Sequence, residues 1–579
     1  MINNASERTT DVLIIGAGAA GTRAALEAAE LGSKVILTNK GPLARSGITL
    51  TAGGGLQAPF HPDDSPEQFF ADVVHHGHLL ADQNLAWALA GDARQRVLDL
   101  ERYGVRFRKK DDGTFMLNQF PGFSLPRNVL FPAGGFGMMN PLKRSCLANE
   151  GITVAEDFAV TGLVISNDAA AARSIAGAVG IDLKTGELVT IRAKATVVAT
   201  GGCQWLWEVT DCPADATGDG LALAYRAGAE LVDMEMVLFY PSVIVWPPAA
   251  RGAFVHYEFL DPAILDGRIL DREGNDVLPK PAPVRDQAMR LMHEAIAAGR
   301  GNEHGGLWWY LGDSAKGPDH VRAILNTPQY NYIKRQGVDP TSEKVAVAPG
   351  AHSQLGGIDI DEDCRTNLPG LYAAPECAGN FEGANRLSGS ALAGTQVFSA
   401  RAGAAAHAWA KDVGQPALDP VELARERDRV SRRLAGPGER ANGEAVVEMR
   451  RELRRAVQQD LAVKREPAGL DRLIRRAGAM ATELAAVKVP DAGVFDQTLL
   501  ELLELDAMLE VAALVAGSAL LRTESRGHHF RADHPARDDV NWLKHTTVSR
   551  RDGEPAFGTR PVVATRIPLP ADGEAGGGG

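Results

Sequence analysis

Residues 11–40, DVLIIGAGAAGTRAALEAAELGSKVILTNK, constrain this chain more than any other segment. DVLIIG is a short apolar run, TRAALEAAELG carries helical periodicity, and KVILTNK is apolar and β-branched again. Gly16, Gly18 and Gly21 give GxGxxG spacing between the strand and the helix, with Ala19 and Ala20 inside it. The first glycine permits a tight turn, and the second lets the backbone approach a pyrophosphate. The third lets helix and strand pack closely, with phosphates at the positive helix end. The second strand ends Thr38-Asn39-Lys40, where an acid usually holds the adenosine ribose. Asn39 can still hydrogen-bond a hydroxyl but carries no charge. The segment therefore predicts a βαβ dinucleotide site.

At 579 residues the chain exceeds one hydrophobic core, so two to four domains are expected. Short strands alternate between about 150 and 200. A Trp- and Pro-rich stretch from 236 to 345 changes the texture, and a strand-and-glycine texture returns over 346–412. Residues 420–522 have the i, i+3, i+4 apolar spacing of a helical bundle. The net charge of −12 argues against a nucleic-acid partner and requires any carboxylate site to be locally basic. The five cysteines show no CxxC spacing, so neither a disulfide framework nor a metal or iron–sulfur site made by this chain alone is expected. The opening residues lack a basic-then-apolar leader, and no uninterrupted apolar stretch of about 20 residues occurs. A cytoplasmic protein is expected.

Six ordered blocks carry a resemblance: KGPLARSGITLTAGGG, ATGG (199–202), TGDGLALAYRAGAELVDMEMVLFYPS (217–242), GAHSQLGGI (350–358), GLYAAPECAG (370–379) and GANRLSGSAL (383–392). Together with the tail from about 503 to 546, they resemble the succinate dehydrogenase and fumarate reductase flavoproteins. L-aspartate oxidase and the flavin subunit of adenylylsulfate reductase are similar relatives. The resemblance implies an α/β fold: a bipartite Rossmann-like FAD-binding domain, an inserted capping domain and a C-terminal helical domain. On this chain the parts are expected at 1–235 (first FAD part), 236–345 (cap), 346–412 (second FAD part) and 413–530 (helices). A C-terminal extension over 531–579 follows.

The resemblance further implies FAD contacts from Arg45, Ser46, Gly47, Gly54, Gly55, Thr200, Gly201 and Asp219. Glu376 is implied at a ribose hydroxyl, and Ser390, Ala391 and Leu392 near the isoalloxazine ring. Members that attach FAD covalently have a histidine after the Arg-Ser pair. Here Gly47 offers no nitrogen, so FAD is expected to bind non-covalently.

For the substrate, the resemblance matches His352 to a substrate-binding histidine and Arg386 to the arginine that clamps a carboxylate in a two-point fork. Tyr240 replaces a family histidine before Pro241-Ser242, keeping a donor but losing any positive charge. Aligning on Ile269-Leu270 puts Ile264 where the family's proton-delivering arginine should stand, with Arg268 as the alternative if the register slips. Because isoleucine transfers no proton, succinate and fumarate become disfavoured substrates. Arg251, His256, Tyr257 and Glu258 are candidates for a rebuilt wall. Trp205 and Trp207 are expected to pack under the cap, and the His75-His76 pair to face different directions on a helix.

The implied activity is two-electron redox of an organic acid or other anionic substrate. The lack of cluster cysteines leaves room for a small ferredoxin-like iron–sulfur subunit, and the oligomeric state stays open. The alternatives are an L-aspartate-oxidase-like or adenylylsulfate-reductase-like enzyme, or an FAD electron-transfer subunit without its own substrate.

Overall fold

The computed structural model describes residues 6–120, 122–166, 174–436, 441–490 and 493–570. The strand Ser6–Ile15 lies at the centre of a mixed sheet, parallel to Val35–Asn39 on one side and to Glu187–Val198 on the other. Val12, Leu13 and Ile14 are fully buried, as expected for a strand covered on both faces. The helix Ala19–Glu30 makes the crossover and packs against Ser390–Asp412, while Ile152–Glu156 extends the sheet beyond Val35–Asn39.

Glu187–Val198 does two jobs along its length. Its first half pairs antiparallel with Ile175–Asp182, which in turn pairs with Phe158–Ile165. Its last residues pair parallel with Leu371–Ala373, so a strand from far along the chain completes the sheet. That pairing makes the sheet domain bipartite.

Between the two halves stands an insertion with its own hydrophobic core, including Val243, Leu265, Met292, Trp309 and Val347. Its four-stranded sheet runs Val237–Trp246, Val345–Gln354, Leu307–Tyr310, Arg268–Leu270. The first two strands are the chain's way into and out of the cap. Their pairing slips three times. At the first slip Leu238 faces Ser353 and Phe239 faces Ala351, at the second Tyr240 faces Gly350 and Val243 faces Ala348, and the third falls between Ile244 and Trp246. His352 is therefore the extra residue of a β-bulge, a device that re-aims a side chain. Pro241 and Pro349 fall inside the second slip, where their missing N–H breaks no regular ladder.

The C-terminal helices are Pro420–Ser431, Gly443–Asp460, Pro467–Ala485 and Gln497–Leu521. Val446, Met449, Leu453 and Val457 form the buried stripe of the second, each worth roughly 1.5–3 kcal/mol on burial. Gln497–Leu521 is buried on most of its surface and serves as the bundle's axis. Beyond it, the hairpin Lys544–Arg551/Glu554–Pro561 returns to the sheet domain by pairing with Leu231–Val232. A buried ionic network fastens this return: Arg522 bonds Glu235 (2.6 Å) and Glu524 (2.9 Å), and His545 contacts Asp233 (2.6 Å). No helix among the described residues is long and apolar enough to cross a membrane.

Candidate active site

The glycine turn behaves as its spacing requires. Gly16 has φ +101°, and a Cβ there would stand 2.4 Å from the Ala199 carbonyl oxygen. A Cβ on Gly21 would lie 1.7 Å from the Gly16 carbonyl oxygen, so that glycine serves helix–strand packing. The Ala17 amide donates to Asn39 Oδ1 and the Ala19 amide to Thr49 Oγ1, both at 3.2 Å. The amides of Gly18 and Ala20 bond no described residue and stand at the positive end of the helix Ala19–Glu30.

A trough opens over this turn, about 860 Å³ with its open solvent counted. Of the expected cofactor residues, Gly16, Gly18, Ala19, Ala20, Asn39, Lys40, Gly47, Thr200, Gly201, Asp219 and Glu376 line it. Thr49, Phe158, Asp215 and Thr395 join them without having been foreseen. Thr200 Oγ1 is buried with no partner among the described residues. Free amides at a helix start, an orphaned hydroxyl and a trough along a glycine turn fit a dinucleotide such as FAD.

The remaining expected residues lie outside the lining. Arg45 is exposed, and Ser46 Oγ accepts from Asn39 Nδ2 at 3.0 Å. Gly54 packs against the Phe131 carbonyl, and Gly55 opens the short strand Gly55–Gln57. Ser390, Ala391 and Leu392 form the first turn of Ser390–Asp412, but the Ser390 hydroxyl is directed at Glu382 and the Leu387 carbonyl. Asn39 likewise braces its own loop, donating to the Gly41 carbonyl at 2.7 Å. Lys40 reaches Glu504 of the helical domain (2.7 Å) and Asp219 (3.4 Å). Although burial works against its charge, those two carboxylates hold its proton well above the usual range.

A second cluster gathers where the cap meets the sheet domain. His352 and Tyr240, on the paired entry and exit strands, bring their rings to 5.2 Å. The Tyr240 hydroxyl donates to Glu258 Oε2 (3.2 Å) and accepts the Tyr257 amide (3.0 Å). Burial, reinforced by Glu258, keeps that phenol protonated well above its ordinary range. Arg386 is 8% exposed, and its guanidinium makes no hydrogen bond or ion pair among the described residues. Burial pushes the neighbouring Glu382 up to about 7, against the pull of Arg386 and the Ser390 hydrogen bond.

The structure corrects the expectation that the site lacks a second arginine. Ile264 packs in the cap core, and Arg268 sits at the surface between Asp276 and Asp313. Another arginine reaches the cluster: Arg285 opens the helix Arg285–Ala295 and lies 5.6 Å from the Tyr240 ring centroid. Its closest carboxylate oxygen, on Glu258, is 3.7 Å away. No spacing rule pointed to it, because the residue follows a proline-rich loop remote from every recognised block.

Of the other wall candidates, Glu258 joins the cluster and Arg251 stays exposed. The Tyr257 hydroxyl turns to the Pro283 carbonyl, and His256 Nδ1 to the Tyr330 hydroxyl. The histidine pair divides: His75 is exposed, whereas His76 is half-buried. Burial and the Arg285 charge push His76 down to about 4. Trp207 donates to the Leu461 carbonyl, and Arg454 covers the Trp205 ring at 4.1 Å. Both indoles thus pack against the C-terminal helices, and Trp207 also meets Phe239 of the entry strand edge-on.

An FAD binding domain model matches residues 11–392, and a fumarate reductase flavoprotein C-terminal model matches 450–573. The chain is 36% identical to one of the subunits of the CoM/CoB fumarate reductase of Methanothermobacter marburgensis, covering 94% of this chain and 98% of that one. It is 32% identical to an L-aspartate oxidase of Caulobacter vibrioides, covering 93% and 96%. Among solved structures, a quinol–fumarate reductase with bound menaquinol superposes with TM-score 0.87 at 28% identity, covering 98% of this chain and 100% of that one.

Proposed function

The chain belongs to the fumarate reductase and succinate dehydrogenase flavoprotein family, and from that premise we propose that it oxidises or reduces an organic acid held on Arg386. It is an FAD-dependent oxidoreductase. FAD supplies two-electron, hydride-type chemistry when bound.

One observation carries the substrate reading: a buried guanidinium that makes no hydrogen bond or close ion pair among the described residues, with Glu376 and Glu382 feeling its charge only from a distance. Burying a charge is costly unless it is paired, so Arg386 calls for an anionic guest, and its planar fork matches a carboxylate. Arg285 gives the site a second positive charge, steadied by Glu258 and by the face of Tyr240. Tyr240 Oη, protonated and neutral, stands on the same side and gives its hydrogen to Glu258. With Arg285 in place, succinate and fumarate are no longer disfavoured by a missing arginine. What still disfavours them is local: a neutral phenol and the Glu258 carboxylate stand where a second substrate carboxylate would want cations. An acid with a single carboxylate, or with a different second group, suits this wall better.

Non-covalent FAD is part of the same reading. Gly47 lines the cavity with φ +92° and no side chain to bond the cofactor. Acid precipitation should leave all flavin in the supernatant, and flavin remaining on the polypeptide refutes this point. The proposed domain limits stay as read from the sequence, with the cap at 236–345.

The electron partner we propose is a small iron–sulfur protein, in line with a relative that is itself named as part of a multisubunit enzyme. A second reading, direct transfer to dioxygen, draws on the likeness to L-aspartate oxidase. Rapid-mixing reoxidation separates the two: slow reaction with air supports the iron–sulfur partner, and fast reaction supports the oxidase. The substrate test is anaerobic bleaching of bound flavin by a panel of carboxylic acids, with the reverse reaction from dithionite-reduced protein. Turnover confined to molecules without a carboxylate overturns the reading.

A further inference from the structure

The bulge that aims His352 also delivers its ring to a buried acid that none of the recognised blocks contains. Asp211 Oδ2 lies 2.6 Å from His352 Nδ1, and the Asp211 side chain is 4% exposed. The acid is locked in place by the backbone. The Ala351 amide donates to the Val209 carbonyl (2.9 Å), and Thr210 Oγ1 donates to the Ala351 carbonyl (2.7 Å). Thr210 Oγ1 also accepts the Cys212 amide at 3.1 Å, and Cys212 Sγ contacts the His352 carbonyl at 3.2 Å. Residues 209–212 therefore run beside the bulged strand as a fixed rail. His352 Nε2 has no partner among the described residues, and the ring keeps 23% exposure beside Tyr240.

We propose that Asp211 is a positioning residue that holds the neutral His352 ring in its Nδ1–H form, so that an anion docks at Nε2 only as the ring takes up a proton. The inference rests on the anionic-substrate reading for its docking half alone. A carboxylate only accepts hydrogen bonds, so the nitrogen facing Asp211 carries the hydrogen and Nε2 of the neutral ring carries a lone pair. An incoming carboxylate also only accepts. Two acceptors make no bond until one solvent proton is added to Nε2, giving Nε2–H···⁻OOC with both hydrogens accounted for.

The other charged or titratable groups around the ring do not supply that donor. Tyr240 and Glu258 are bonded to each other, and Arg285 lies beyond the Tyr240 ring. His256 is turned to Tyr330, and Cys212 to the His352 carbonyl. Glu376, from the second part of the sheet domain, accepts from Gln204 and Ser353. Arg386 binds the anion by its own fork and leaves Nε2 unanswered.

The test uses FAD-loaded, [¹⁵N]histidine-labelled full chain, with His352→Gln to assign the ring signals. Long-range ¹H–¹⁵N spectra in alkaline buffer should show His352 protonated at Nδ1. Asp211→Asn, whose amide can donate to Nδ1, should move that proton to Nε2, and Asp211→Glu should restore the original pattern. In parallel, malonate is titrated against the visible spectrum of bound flavin in weakly buffered dye solution. Wild type should take up one proton per malonate, with affinity falling about tenfold per pH unit once the ring is neutral. Asp211→Asn should show neither the uptake nor the slope. An Nε2–H ring in wild type overturns the proposal whatever malonate does, and so does malonate binding without proton uptake. If the ring is Nδ1–H, follows the Asp211 variants, and malonate binds at no pH, the tautomer assignment stands and the carboxylate-substrate reading fails.

Discussion

The cofactor cavity and the side-chain cluster beside His352 are linked through Glu376 but are built from different materials. The cavity over Gly16 and Gly18 is shaped by the main chain: a left-handed turn, unpaired helix-start amides and a strand end that touches the turn. The cluster beside it is made of side chains from five separated segments, carrying His76, Tyr240, Arg285, His352 and Arg386. A site made of backbone tolerates many side chains but few changes of conformation. A site made of side chains can be retuned one residue at a time on an unchanged frame. One fold can thus keep its cofactor while changing its substrate.

The sharpest way to break this contrast is Gly21→Val. A Cβ already meets the Gly16 carbonyl at 1.7 Å, so the larger residue should abolish flavin binding, read as loss of the visible absorption of purified protein. Arg386→Ala should do the reverse. Flavin content should stay full, while carboxylate affinity or kcat/KM falls by about 10² to 10³, the usual scale for removing a charged fork (about 3–4 kcal/mol). Arg386→Lys should recover only part of the loss, because a point charge cannot supply two parallel donors.

Glu382 gives a pH-dependent comparison of smaller size. Its folded-state pKa is raised from 4.5 to about 7, so between those values the folded protein holds a proton that the unfolded chain has released. Stability therefore falls as pH rises through that window, by up to about 3 kcal/mol. Glu382→Gln should flatten this slope, measured as melting temperature against pH from 5 to 8. Asn39→Ala should have the least effect. It removes side-chain bracing from a main-chain site, and the affinity for FAD should drop only about five- to tenfold, near 1 kcal/mol.

What the sequence revealed follows the same division. Main-chain demands appear directly as glycine, so Gly16 and Gly21 were legible from spacing alone. Tyr240, His352 and Arg386 became visible only through resemblance, since no local period links positions so far apart. Arg285 and Asp211 escaped both routes. Each sits in an unremarkable stretch (PVRDQ and VTDCP) and gains meaning only from a tertiary contact, in one case across 141 residues. Aligning on Ile269-Leu270 put Ile264 where the second arginine should stand and so predicted its loss, whereas a helix start brings Arg285 to the cluster. The His75-His76 pair was expected to face different directions and does, but nothing local in the sequence showed which of the two turns toward the Arg285 side.

The central claim is a buried guanidinium waiting for an anion at the edge of a main-chain-built flavin cavity. A crystal structure of the FAD-loaded protein grown with malonate tests this directly. The expected result is a malonate carboxylate on both terminal nitrogens of Arg386, within reach of His352 and beside the flavin. An Arg386 turned onto a protein carboxylate, with malonate bound elsewhere, would contradict it.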